Sequence, residues 1–148
     1  MPITDAERKN RAETYQRKSA ESFLAAQDCL QKAHYRAVCN RCWYAVMQSI
    51  TAGVYMHLNQ YDWPPLQPGH LNWKHSSQSY LFKKLCSRFG KYTENRDLLP
   101  YIGCLLDWRE SADYDSPDDN ISAEQAAKAI HAAQLLLNAV EKLPCPRW

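Results

Sequence analysis

The stretch YRAVCNRCWYAVMQSITAGVYMHL, Tyr35 to Leu58, decides the fold. At helical spacing it is apolar on more than one side. Tyr44, Met47, Thr51, Tyr55 and Leu58 make one stripe, and Val38, Cys42, Ala45, Ser49, Ala52 and Met56 make a second, built of smaller residues. A helix with two apolar faces cannot lie on a surface and has to be wrapped by others. The small seam also lets a neighbouring helix approach closely. No proline interrupts the run, and Gly53 costs only about 1 kcal/mol relative to alanine, which packing overrides. The stretch is the central helix of an all-α domain.

Working towards the N-terminus, the connection Gln31–Tyr35 is so short that the preceding helix must be an antiparallel neighbour. Thr4 and Glu7 fit a capping box at its start. Its inward positions read Tyr15, Ser19, Phe23, Ala26, Leu30 and Ala33. Residues 1–14 are polar on all sides and read as an extension or first turns, leaving a bundle over residues 15–143 and a short tail, 144–148.

Working towards the C-terminus, NQYDWPPLQPGHLN (Asn59–Asn72) breaks the pattern with Pro64, Pro65, Pro68 and Gly69. Such a long connection is either functional or simply disordered. Trp63 and His70 read either as ligand contacts or as side chains that pin the loop to the core. A third helix is expected from about Trp73 to Phe89, with Tyr80, Leu81, Leu85 and Phe89 inward and Gly90 as its stop. A fourth is expected from about Leu98 to Ala112, with Pro100 tolerated in its first turn and Ile102, Leu105 and Leu106 inward. After an acidic loop, Asp115–Asn120, the last helix begins at a second capping box, Ser122 with Gln125. It turns Ala126, Ile130, Ala133, Leu137 and Val140 inward and ends before Pro144 and Pro146. With no strand pattern and no internal repeat, the expected architecture is an antiparallel bundle of about five helices.

A chain of 148 residues with 45% hydrophobic and 11% aromatic content is long and apolar enough for one cored domain. The polar N-terminus and the lack of an apolar run of about 20 residues give a cytoplasmic expectation with no membrane span. The six cysteines are then expected to be reduced. Cys39-x-x-Cys42 lacks the second Cys or His pair that a zinc site would need, and small core residues are the simpler reading.

Charge is unevenly placed around a net +2: residues 71–96 hold six basic residues against Glu94, and residues 97–124 hold eight acidic residues against Arg109. The plain reading is solvated faces, facing each other if the chain pairs. The sharper one is a polyanion strip of Lys83, Lys84, Arg88 and Lys91.

Arg109 continues the inward stripe of the fourth helix by one turn, and Asp113 follows at i+4. A guanidinium in line with core residues has to be paired, because an unpaired buried charge costs about 3–5 kcal/mol. Glu110, Asp113 and Asp115 also crowd a helix C-terminus, where each negative charge is disfavoured by roughly 0.3–1 kcal/mol. A broken local rule of this kind marks a structural clamp or a functional site. A calcium site at Asp113, Asp115, Asp118 and Asp119 would lack both the sharp-turn glycine and the closing glutamate.

The segment Asp28–Leu58 resembles the first helical hairpin of HEPN-domain proteins, in its turn Ala33-His34-Tyr35 and in Asn40-Arg41-Cys42-Trp43-Tyr44-Ala45. Lys74-His75-Ser76 followed by Leu81-Phe82 resembles the opening of their third helix. Arg109-Glu110-Ser111-Ala112-Asp113-Tyr114-Asp115 is similar to the Arg-x-x-Ala-Asp-Tyr-Asp ending of the fourth in small stand-alone members. The resemblance implies a four-helix up-and-down core with a closing helix, paired as a homodimer.

It further implies a toxin–antitoxin or defence role, with a nucleotidyltransferase antitoxin as a candidate partner. In many relatives an Arg, followed after roughly four to six residues by His, forms a metal-independent RNA-cleaving site between subunits, where a base is needed for the ribose 2′-OH. Here Arg109 matches the cation and no histidine stands at the matching spacing. Arg109, Asp113 and Tyr114 are therefore the expected cleft, with Asp115, His75 and His131 as accessories. No cofactor or metal is expected. The expected function is binding of RNA, a nucleotide or a partner protein, with endoribonuclease activity as the alternative.

Overall fold

A computed structural model describes residues 2–114 and 121–144, with Asp113 and Tyr114 described as backbone only. Those residues form an all-α bundle. Its helices are α1 (Asp5–Gln31), α2 (Tyr35–His57), α3 (Gln78–Arg88), the single turn α4 (Tyr92–Asn95), α5 (Leu99–Tyr114) and α6 (Ala123–Glu141). Short 3-10 turns at Gln60–Asp62, His75–Ser77 and Arg96–Leu98 sit in the connections. No helix among the described residues is long and apolar enough to cross a membrane. The acidic loop 115–120, with its aspartates, and the tail from 145 lie outside the described residues.

Helix α2 is wrapped as its two stripes require: α1 packs along its length, with α5, α6 and α3 against its other sides. Burial goes further than two stripes. Cys39, Trp43, Val46, Ile50 and Val54 form a third face that is also closed off. Gly53 sits where α3 and α6 press closest, and a Cβ there would lie 3.0 Å from Leu85 Cδ1 and 3.4 Å from Val140 Cγ1. Even an alanine at this position would require the Leu85 side chain to give by a few tenths of an ångström.

The α1 seam explains why its own sequence looks so polar. Its buried residues are Ala12, Tyr15, Ser19, Ser22 and Ala26, at alternating spacings of three and four. Ser19 Oγ donates to Ala45 O at 2.7 Å, so a small hydroxyl stands where the two helices nearly touch. Phe23 and Leu30, expected inward, are only half-buried. The first turns are tied down from outside the apolar pattern. Arg8 donates through Nε to Tyr55 O (3.1 Å) and through Nη2 to Met56 O (3.3 Å), neutralising the negative end of α2. Ile3 and Gln60 exchange a pair of hydrogen bonds at 2.9 and 2.8 Å.

The capping signals are realised to different degrees. Ser122 and Gln125 form a complete capping box. Thr4 Oγ1 accepts from Glu7 N at 3.1 Å, while the Glu7 carboxylate is engaged by Arg11. In α3 the boundaries shift: Trp73 is buried ahead of the helix, Phe82 is buried, and Tyr80 is 50% exposed. The helix buries Leu81, Phe82, Leu85 and Cys86, a stripe turned by one position from the expected one.

Two helices end in the same six-residue motif. At α3, Lys91 N donates to Cys86 O (2.7 Å) and Gly90 N to Ser87 O (3.2 Å), with Gly90 at φ +66°. At α1, His34 N donates to Cys29 O (2.9 Å) and Ala33 N to Leu30 O (3.1 Å), with Ala33 at φ +58°. Alanine in this left-handed conformation carries a steric cost of about 1–2 kcal/mol that glycine avoids. Allowing for the greater freedom of glycine in the unfolded chain, Ala33→Gly is expected to stabilise the protein by about 0.5–1 kcal/mol. Urea unfolding measures this, and a destabilised variant would show that the turn is held by more than its backbone.

Candidate functional site

Arg109 lies half-buried on α5, with its guanidinium carbon 5.7 Å from the centre of the Tyr44 ring and Nη2 donating to Tyr44 Oη at 3.3 Å. The cation is held against α2 by a cation–π contact and a hydrogen bond together. Its expected partner, Asp113, is one turn on and described as backbone only, as is Tyr114; Asp115 lies outside the described residues. The crowding of acidic residues at this helix end has an answer that spacing along α5 could not supply. Arg36, on the first turn of α2, donates through Nη1 to Ala112 O at 3.0 Å, bringing a cation to the negative end of α5.

Tyr44 and Glu110 border a cleft of about 470 Å3 between α2, α5 and the segment that leads into α3. Met47, His70, Asn72, Lys74, His75 and Ser76 complete much of its wall. The structure thus brings His75 from the accessory set to the neighbourhood of Arg109, and leaves His131 exposed on α6. A larger cleft of about 650 Å3, between α1, α2 and α6, is lined mainly by apolar residues such as Phe23, Leu24, Met56 and Leu137. It offers few groups able to do chemistry, so volume is a poor guide here.

His75 is more constrained than its sequence position suggests. Trp43 Nε1, on the fully buried face of α2, donates to His75 Nδ1 at 2.7 Å, and the rings are 5.4 Å apart. An indole N–H only donates, so Nδ1 must be the accepting nitrogen and the imidazole proton sits on Nε2. Burial lowers the pKa of His75 from its ordinary value; Arg109 lowers it further and Glu110 opposes them. At neutral pH the ring is therefore a neutral donor whose lone pair is already engaged. Sequence reasoning missed Trp43 as part of the site because it looks inward from a helix that was already accounted for as core.

The loop residues reach the cleft because an aromatic cluster holds them. Tyr55 Oη donates to Leu71 O at 2.6 Å, and Trp73 Nε1 donates to Pro64 O at 2.7 Å. The Tyr55, Trp63 and Trp73 rings lie 5.1–5.7 Å apart pairwise. Trp63 is thereby a pin, and His70 is exposed on the wall of the cleft. Cys39 and Cys42 are both fully buried, their thiols pushed up to about 11 and about 12 by burial. Among the strip residues, Lys83 and Arg88 are exposed on α3, with Lys84 and Lys91 half-exposed beside them.

Acid should weaken the fold through His57 and His75. Burial lowers both pKa values, with Arg88 and Arg8 adding to it at His57. Between about 6.5 and the lowered folded values, the unfolded chain binds more protons than the native state. The stabilisation is complete above that window and is lost as pH falls through it. The melting temperature is expected to drop between about pH 7 and pH 5. His75→Asn keeps an acceptor for Trp43 without titrating, and should flatten part of that drop. An unchanged slope would exclude His75 as a contributor.

No protein-family model matches this chain, and no curated protein does.

Proposed function

We propose that the chain is a HEPN-type homodimeric binding module of the toxin–antitoxin or defence class. In this reading it holds RNA, a nucleotide or a partner protein in an inter-subunit cleft built around Arg109. The observation that carries the reading is the pairing of Arg109, laid on Tyr44, with a nearby His75 whose Nδ1 is already occupied by Trp43. Lys74 and the Nε2–H of His75 on the cleft wall, and Arg109 beside it on Tyr44, are all donors, a set that suits phosphate or carboxylate oxygens. Binding requires donors in place. Cleavage requires in addition a base with a free lone pair for the 2′-OH proton.

The alternative, a metal-independent endoribonuclease, draws on the same neighbourhood. It has in its favour that a histidine missing from the spacing along α5 is supplied in space by His75. Against it, that ring would have to break its bond to Trp43 or change tautomer before accepting a proton. The test uses labelled single-stranded RNA and ATP in EDTA, with binding and cleavage read separately. Arg109→Ala is expected to keep the helical circular dichroism signal and lower affinity at least tenfold, with no RNA cut by either protein. Cleavage that disappears with Arg109→Ala would establish the nuclease instead. Loss of helical signal would make Arg109 a structural clamp. Co-purification of a nucleotidyltransferase with the unaltered chain, lost in Arg109→Ala, would support the antitoxin partnership.

A further inference from the structure

The outer face of α3 carries charge of one sign. With Leu81, Phe82, Leu85 and Cys86 buried, the opposite side presents Tyr80, Lys83 and the half-exposed Lys84, with Arg88 exposed on the flank over Phe89 and Lys91 following beyond the turn. Tyr80 is 50% exposed, a large ring left in solvent. Helix α3 itself contains no acidic residue, and Glu94 is engaged by Lys91 at 3.5 Å. A face that serves solubility alone mixes both signs. This one does not.

The cations are also arranged. Lys84 Nζ lies 5.5 Å from the Tyr80 ring centre, Lys83 Nζ 5.3 Å from that of Tyr92, and the Arg88 guanidinium 5.4 Å from that of Phe89. Each aromatic contact is worth about 0.5–1 kcal/mol at an exposed site, enough to bias a long side chain towards the helix surface. The result is three cations over the last turns of the helix, within roughly 8 Å of rise, with one exposed ring, Tyr80, a turn before them. An acidic protein surface would use the charge and leave Tyr80 idle. A duplex would offer phosphates and no free base face. Only an unpaired strand presents both a charged backbone and bases that can stack.

We propose that the outer face of α3 is a binding track for single-stranded nucleic acid, with Lys83, Lys84 and Arg88 on the backbone and Tyr80 under a base. The track is separate from the Arg109 cleft and does not depend on it.

Fluorescence anisotropy of the full chain with labelled oligo(dT) and oligo(U) of about 12 nucleotides tests this. Each neutralised phosphate contributes about −0.7 to the slope of log affinity against log salt, so three contacts predict a loss of roughly twentyfold between 50 and 200 mM salt. The combined variant Lys83→Gln, Lys84→Gln and Arg88→Gln should bind at least tenfold more weakly, with a slope reduced by about 2. Tyr80→Leu should weaken binding about fivefold or more, and Tyr80→Phe, which keeps the ring, should not. Circular dichroism checks the fold; should the combined variant fail it, the three single variants are expected each to lose about threefold.

Absence of binding at about 50 mM salt would overturn the proposal. So would equal affinity for a duplex of the same length together with no effect of Tyr80→Leu, which would reveal a general polyanion surface. Binding abolished by Arg109→Ala and untouched by the α3 variants would place the strand in the cleft, overturning this inference and leaving the cleft reading intact.

Discussion

Trp43→Ala is expected to destabilise the protein by about 3–5 kcal/mol, the range for deleting a buried aromatic side chain. Trp43 is fully buried on the most enclosed helix, packed against the segment that leads into α3, so its removal leaves a cavity in the core. Its second role separates it from an ordinary core residue. Without Trp43 Nε1–H, His75 Nδ1 is released and the ring is free to change tautomer. Trp43→Phe divides the two contributions: most of the packing stays, and the loss should be nearer 1–2 kcal/mol, the scale of one buried hydrogen bond with some lost volume. Urea unfolding gives the energies, and nitrogen-15 NMR of His75 gives the tautomer. If His75 keeps its Nε2–H form in Trp43→Phe, something other than the indole holds it.

Tyr55→Ala should cost a similar 3–5 kcal/mol, and the damage should spread further along the chain. Tyr55 stacks with Tyr15 at 6.3 Å, meets Trp63 and Trp73 edge-on or tilted, and donates to Leu71 O. Arg11 Nη1 in turn donates to its hydroxyl at 3.3 Å. One side chain therefore ties α1, α2 and the long loop together. Its removal should free residues 59–74 before the bundle melts, because that loop has few backbone hydrogen bonds of its own. Limited proteolysis should cut first within that segment, and hydrogen exchange should rise there while α2 and α6 stay protected. Tyr55→Phe, which keeps the ring and loses the hydroxyl, is expected to cost about 1–2 kcal/mol. Equal effects of the two substitutions would mean that the hydroxyl, not the ring, organises the loop.

Both experiments bear on the same structural fact: beside α5, the cleft is assembled from a helix that is almost entirely core and a loop that is almost entirely held by side chains. The plain amphipathic reading could see the first and only guess at the second. The apolar stripes of Tyr35–Leu58, the short turn before them and the Ser122–Gln125 box are local patterns, and local patterns translate directly into helices. Gly90 is a further case, since the residue type and the left-handed turn imply each other. In α1 the expected stripe holds at Tyr15, Ser19 and Ala26, but apolar periodicity added Phe23 and Leu30, which are only half-buried, and passed over Ala12 and Ser22. In α3 the stripe was misplaced by one position, because Tyr80, Leu81 and Phe82 are consecutive apolar residues and periodicity alone does not choose among them.

By itself the sequence determined that this chain folds as an all-α bundle around Tyr35–Leu58, and that Arg109 stands in line with core positions on a late helix. Both follow from spacing along one helix. What only the tertiary structure decided is which groups from distant segments meet. Arg8 at the end of α2, Arg36 at the end of α5, and Trp43 on His75 are pairings across 32 to 76 residues. No periodicity encodes them, because they arise from the angle and depth at which separate helices pack. A hydrogen bond acts over about 3 Å, so side chains remote in sequence become partners only once the core has set the helices in place.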